Sequence, residues 1–101
     1  MACFTSEELQ KANEKCRCVT ALVRHHTFLD KDTYHGDDGR FVKLSAIYKA
    51  KRRFSAFPIE ALEHALLSAI DDRGFNRFVI EIDMNGDRWV KSVLAQDRRR
   101  F

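Results

Sequence analysis

Proline and glycine are scarce in this sequence, with one proline and four glycines in 101 residues. That excludes a low-complexity or disordered chain. Long hydrophobic runs are missing as well. No stretch approaches the ~18 consecutive apolar residues of a membrane-spanning helix. The N-terminal MACFTSEELQ has neither a basic leader nor an apolar core, so no secretory signal is expected. Three cysteines are an odd number without the spacing of a disulfide framework. Reduced thiols in a cytoplasmic, intracellular protein are the expectation. Charge of one sign is also lacking: 18 Lys and Arg stand against 15 Asp and Glu, a formal net charge of +3, which implies no polyelectrolyte role. There is no glycine-rich phosphate cradle, no G-x-S-x-G and no H-E-x-x-H.

What is present is material for one core. Hydrophobic residues make up 45% of the chain and include eight phenylalanines, and a third of the residues are charged. At this length a single domain over residues 1–101 is expected, with 95–101 as a short basic tail. Thr5 with Glu8 three positions later forms a capping box, and Phe4 with Leu9 a hydrophobic staple. Leu9, Ala12, Cys16, Val19, Val23 and His26 recur at spacings of three and four, with Leu22 widening the stripe. This predicts a long N-terminal helix reaching about His26.

DKDTYHGDDG, residues 30–39, reads as a loop or hairpin end. Alternation in RFVKLSA predicts a strand from about Arg40 to Ala46 that turns helical before Phe54. Pro58 opens a second helix over 58–72, with Ile59, Leu62, Leu66, Ala69 and Ile70 buried and Gly74 as its left-handed cap. RFVIEIDMNGDRWVKSV predicts a hairpin with a type I′ turn at Asn85-Gly86. The favoured register pairs Asp83 with Arg88, Ile82 with Trp89, Ile80 with Lys91 and Phe78 with Val93, collecting Trp89 on the apolar face. A one-residue slip through a glycine bulge would instead set Trp89 opposite Glu81. The fold class is α+β: a long N-terminal helix and a second helix packed on a small mixed or antiparallel sheet ending in a hairpin. A right-handed crossover from strand 40–46 to a parallel strand at 77–83 completes it.

The most chemical stretch is CRCVTALVRHH, residues 16–26. Zinc needs three or four donors converging on one point. On a helix, Cys16 and Cys18 project about 200° apart, and Cys18 and His25 are roughly 10 Å apart along the axis. Neither metal binding nor C-x-x-C redox chemistry is expected, and no cofactor is implied. His35 near Asp37 and Asp38, and His64 four residues after Glu60, are the acid–base candidates. Neither has a convergent third group, so the chain is expected not to be an enzyme. A winged helix-turn-helix would make 58–72 the recognition helix. That helix carries Glu60, Glu63, Asp71 and Asp72, which oppose a phosphate field.

The dense cationic cluster is YKAKRRF. Lys49, Lys51, Arg52 and Arg53 stand between Tyr48 and Phe54, and Arg98, Arg99 and Arg100 repeat the charge near the C-terminus. Acid gathers in 30–38 and 60–72, base in 49–53 and 98–100, a polarity that can steer association. The expectation is a non-catalytic protein that occupies a protein or nucleoprotein partner, as inhibitors and adaptors do, phage-encoded inhibitors of host defence among them. Those basic and aromatic residues are the expected contact set, and no membrane partner is expected. The alternative is a nucleic-acid-binding regulator using 49–53, its cations on phosphates and its aromatics on bases.

Overall fold

Thr5 caps the first helix as its sequence context dictates. In the computed structural model, which describes residues 4–36 and 39–93, Thr5 Oγ1 accepts the Glu8 amide at 3.1 Å. The Glu8 carboxylate accepts the Thr5 amide at 2.8 Å, which closes the capping box. Helix α1 runs Ser6–Lys15, a 3₁₀ turn takes Cys16–Cys18, and α2 follows over Val19–His25. The long N-terminal helix is therefore present but tightened in its middle. The predicted stripe holds through Ala12, Cys16, Val19, Leu22 and Val23, all buried. It stops short of His26, which leaves the helix in extended conformation and lies exposed, its ring 4.8 Å from that of Phe28.

The segment expected to be a loop or hairpin end is the end of a hairpin and carries one of its strands. A 3₁₀ turn at Asp30–Asp32 leads into β1, Thr33–Gly36, which pairs antiparallel with β2, Gly39–Lys43. The alternation of Thr33 and Tyr34 was too short to show against the acidic and glycine residues around it. After β2 the chain turns at once into α3, Leu44–Ala50, so the strand-to-helix change falls at Lys43, earlier than the expected strand end at Ala46. A 3₁₀ turn over Arg52–Ala56 leads to Pro58 and α4, Ile59–Leu67.

Helix α4 ends earlier than expected. The Asn76 side-chain amide donates to the Leu67 carbonyl at 3.1 Å, and Ile70 bridges Asn76, its side chain 56% exposed rather than in the core. Gly74 (φ +82°) belongs not to a helix cap but to a separate turn. In it the Gly74 amide donates to the Asp71 carbonyl at 3.0 Å, and the Asp71 carboxylate accepts the amides of Arg73 and Phe75.

The last hairpin joins β3, Phe78–Ile82, to β4, Arg88–Ser92. Its register is the slipped one: Glu81 faces Trp89, Ile82 faces Arg88 and Ile80 faces Val90. Asn85 does not take positive φ, and Gly86 alone does (+84°), so the turn is type I with a glycine bulge and not type I′. Asp83 decides between the two. Its carboxylate accepts the Asn85 and Asp87 amides at 2.9 Å each and the Trp89 indole N–H at 2.9 Å.

The sheet order is β1-β2-β4-β3 with every pair antiparallel. The expected crossover is thus corrected: β3 does run in the direction of β2, but β4 is inserted between them. Val42, Phe78 and Val90 point to the inner face, where they join Leu22, Val23, Ile47, Leu62 and Leu66 in the core. Helices α2, α3 and α4 cover that face, and α1 packs on α4. Arg40 ties helix layer to sheet, donating to the carbonyls of Leu22, Val23 and His26 at the end of α2. A cation there also meets the negative end of the helix dipole. Among the described residues no helix is long and apolar enough to cross a membrane.

Candidate functional site

The cationic segment is built on an apolar anchor. Leu44 and Ile47 hold α3 to the core, and Phe54 follows as a fully buried ring 5.9 Å from that of Phe57. The half-buried Tyr48 donates its hydroxyl to the Phe57 carbonyl. The Ser55 hydroxyl closes the intervening turn on the Arg52 carbonyl at 2.7 Å. This corrects the sequence reading of Phe54, which cannot anchor a partner because its whole ring is core. Tyr48 stays half-buried, with its hydroxyl engaged. The segment alternates between burial and exposure, which the uninterrupted charge around Phe54 concealed.

The same anchoring fixes where the cations go. Lys49, Arg52 and Arg53 are exposed and Lys51 is half-buried. Among the described residues none of the four makes an ion pair. Arg98, Arg99 and Arg100 lie outside the described residues, as do Asp37 and Asp38.

A second surface emerges that the sequence reading did not anticipate. The slipped register turns Trp89 to the outer face of the sheet, which no helix covers among the described residues. There Tyr34 stacks on Phe41 with centroids 4.9 Å apart and meets the edge of Trp89 at 5.1 Å. Lys43 sits over Trp89 and Lys91 over Phe41. The Tyr34 hydroxyl reaches across to donate to the Glu81 carboxylate at 2.9 Å. Tyr34 is thereby a strap laid over the sheet, and Phe41 beneath it is only 6% exposed.

This arrangement shifts two acids, one in each direction. Asp83 is held below the usual carboxylate range, first by the Trp89 indole bond and then by the two turn amides and Lys43. Tyr34 is pushed above the usual phenol value by burial of its hydroxyl, then by the Glu81 bond and charge. The polar rim of this face carries both signs, with Glu81, Asp83 and Asp87 beside Lys43 and Lys91.

The cysteine–histidine stretch is dispersed. Cys16 is buried with its thiol donating to the Asn13 carbonyl at 3.3 Å, and Cys18 donates to Lys15 at 3.3 Å. His25 is exposed at the end of α2. Among the described residues no three His, Cys, Asp or Glu side chains gather where an ion could sit. His35 projects from β1 opposite Arg40, and His64 packs edge-on against Phe4 with ring centroids 5.6 Å apart.

Comparison with models of known protein families, with curated proteins and with solved structures finds no match to this chain.

Proposed function

We propose that this chain is a non-catalytic binding protein that occupies a protein partner through the cationic ridge of Lys49, Arg52 and Arg53. The observation that carries the reading is the combination of anchor and charge. Buried Phe54 and tethered Tyr48 hold the ridge in place, while its three exposed cations have no ion-pair partner among the described residues. A backbone held in place presents these cations together, so an acidic surface that meets them has only the side chains left to order. In this it acts as inhibitors and adaptors do, by occupation and not by chemistry.

Protein is favoured over nucleic acid by what the ridge lacks. Single-strand binding combines cations with rings on which bases stack. Here the ring beside the cations, Phe54, is buried, and on the outer sheet face Phe41 is covered by Tyr34.

The test is affinity capture from the source cell with the intact chain and with Lys49→Glu/Arg52→Glu/Arg53→Glu, each with and without nuclease. The expected result is a partner that survives nuclease and is lost with the triple variant, while the variant keeps its circular dichroism spectrum. Release of the partner by nuclease would transfer the reading to nucleic acid. Undiminished capture by the triple variant would remove the ridge from the binding surface.

A further inference from the structure

We propose that a small cleft between the α1–α2 junction and the start of β3 binds a phosphate group of a small-molecule ligand through Arg17 and Arg77. Asn13, Arg17 and Thr20 line it from the helix side, Arg77 from the sheet side, and Cys16 and Phe78 form its buried floor. The site is separate from the cationic ridge and does not rest on that reading.

Four observations converge. First, Arg77 is held in place by its backbone, whose amide donates to the Ala69 carbonyl at 3.0 Å and whose carbonyl accepts the Val93 amide at 2.9 Å. Second, Arg77 Nε is buried with no hydrogen-bond partner among the described residues. The other arginines built into this fold are satisfied: Arg40 by three carbonyls, Arg88 by Glu63 and Arg73 by Asp71. Arg77 itself is only half-buried, so its other guanidinium nitrogens remain open to a partner while its inner nitrogen is unsatisfied.

Third, the 3₁₀ turn at Cys16–Cys18 puts Arg17 beside the same cleft, and Arg17 also makes no ion pair among the described residues. Both arginines act electrostatically on Cys16, and no carboxylate does so. Fourth, the remaining polar groups can donate. The Thr20 hydroxyl and Asn13 amide make no side-chain hydrogen bond within the described residues, while the Cys16 thiol is turned away to the Asn13 carbonyl.

The chemistry of this set selects its ligand. Two guanidinium forks, an amide and a hydroxyl offer many donors and no charged acceptor, which disfavours a cation. Planar forks approaching from two sides suit a tetrahedral oxyanion, each fork engaging two of its oxygens. The opening is small and polar, which suits the phosphate end of a ligand and leaves the rest of it in solvent.

Titration with inorganic phosphate, at ionic strength held constant with sodium chloride, tests the site by NMR of the arginine Nε–Hε resonances. Saturable shifts of the Arg17 and Arg77 signals are expected, with chloride alone leaving them in place. Arg17→Gln, an exposed substitution that spares the fold, should weaken binding by roughly tenfold or more, the effect of losing a charge-assisted hydrogen bond. Arg77→Lys keeps the charge and loses the fork, and should weaken binding comparably. The triple variant of the cationic ridge should bind phosphate as the parent chain does. A nucleoside monophosphate that binds more tightly than inorganic phosphate assigns the site to an esterified phosphate, and equal affinity assigns it to the free ion. Absence of saturable shifts, an equal response to acetate, or Arg17→Gln binding like the parent would each overturn the proposal.

Discussion

Asp83 holds three donors at once, and much of the final hairpin depends on it. Replacing it with Ala frees the Asn85 and Asp87 amides and the Trp89 indole together. The expected outcome is a clear fall in melting temperature, larger than that of Asp87→Ala. Because the Asp83 carboxyl titrates below its ordinary value of about 3.9, its stabilisation is complete above that pH and is lost as pH falls through the lowered folded value. Asp83→Asn should therefore flatten the acid limb of a plot of melting temperature against pH. Tyr34 works at the other end. Its phenol titrates above the usual value of about 10, so its contribution is full below that pH and fades as pH rises through the raised value. Tyr34→Phe should remove that alkaline step. Arg40 is the third residue with a concentrated role, closing three carbonyls at the end of α2. Arg40→Ala should cost about 1.5–3 kcal/mol in denaturant unfolding, the range for hydrogen bonds to a charged group. Lys at that position should recover little, since one ammonium cannot reproduce the fork.

At the scale of elements, the same turn occurs twice. In residues 71–75 and 83–87 an Asp opens the turn and its carboxylate accepts the amides two and four residues on. In both, a Gly at the fourth position adopts positive φ, +82° and +84°. A Cβ at either glycine would meet nothing within 4 Å, so crowding plays no part and only backbone strain opposes substitution. Gly74→Ala and Gly86→Ala should each destabilise by roughly 1–2 kcal/mol, the cost of an L-residue in the left-handed region, read by denaturant unfolding. The repeated Asp-x-x-Gly was visible in the sequence and would have settled both the register and the role of Gly74. Asn85-Gly86 drew the reading to a type I′ turn because that dipeptide is a strong hairpin signal. The pull of Trp89 toward a core position reinforced it. The capping box, the buried stripe through Val23 and the opening of α4 at Pro58 were legible, since each rests on contacts within a few residues. A change from strand to helix was legible too, but it falls at Lys43 and not after Ala46 as expected. Strand order was not, because the insertion of β4 between β2 and β3 is decided by packing between segments distant in the chain. The cations of the candidate ridge were legible as charge, but the burial of Phe54 among them was not, for the same reason.

At the scale of the molecule, the fold keeps its ridge and its core separate although they interleave in sequence. Phe54→Ala should cost on the order of 3–5 kcal/mol by emptying a fully buried site. Lys49→Glu/Arg52→Glu/Arg53→Glu should shift unfolding by only about 0.5 kcal/mol per substitution, as exposed positions do. A partner steered by the ridge should associate more slowly as salt rises, with dissociation changed less. The uncovered side of the sheet adds a means of observing this. Trp89 is the single tryptophan of the chain, and Tyr34 lies 5.1 Å from it, edge to face. At that separation light absorbed by Tyr34 is emitted by Trp89, so the sheet reports on itself without a label. Tyr48, the other tyrosine, belongs to the helical layer and takes no part in that ring cluster. A partner seated on the ridge meets the helical layer and not this ring cluster, whereas anything that lifts the Tyr34 strap should restore Tyr34 fluorescence and move the tryptophan band. The protein thus carries an optical record of which of its two sides has been occupied.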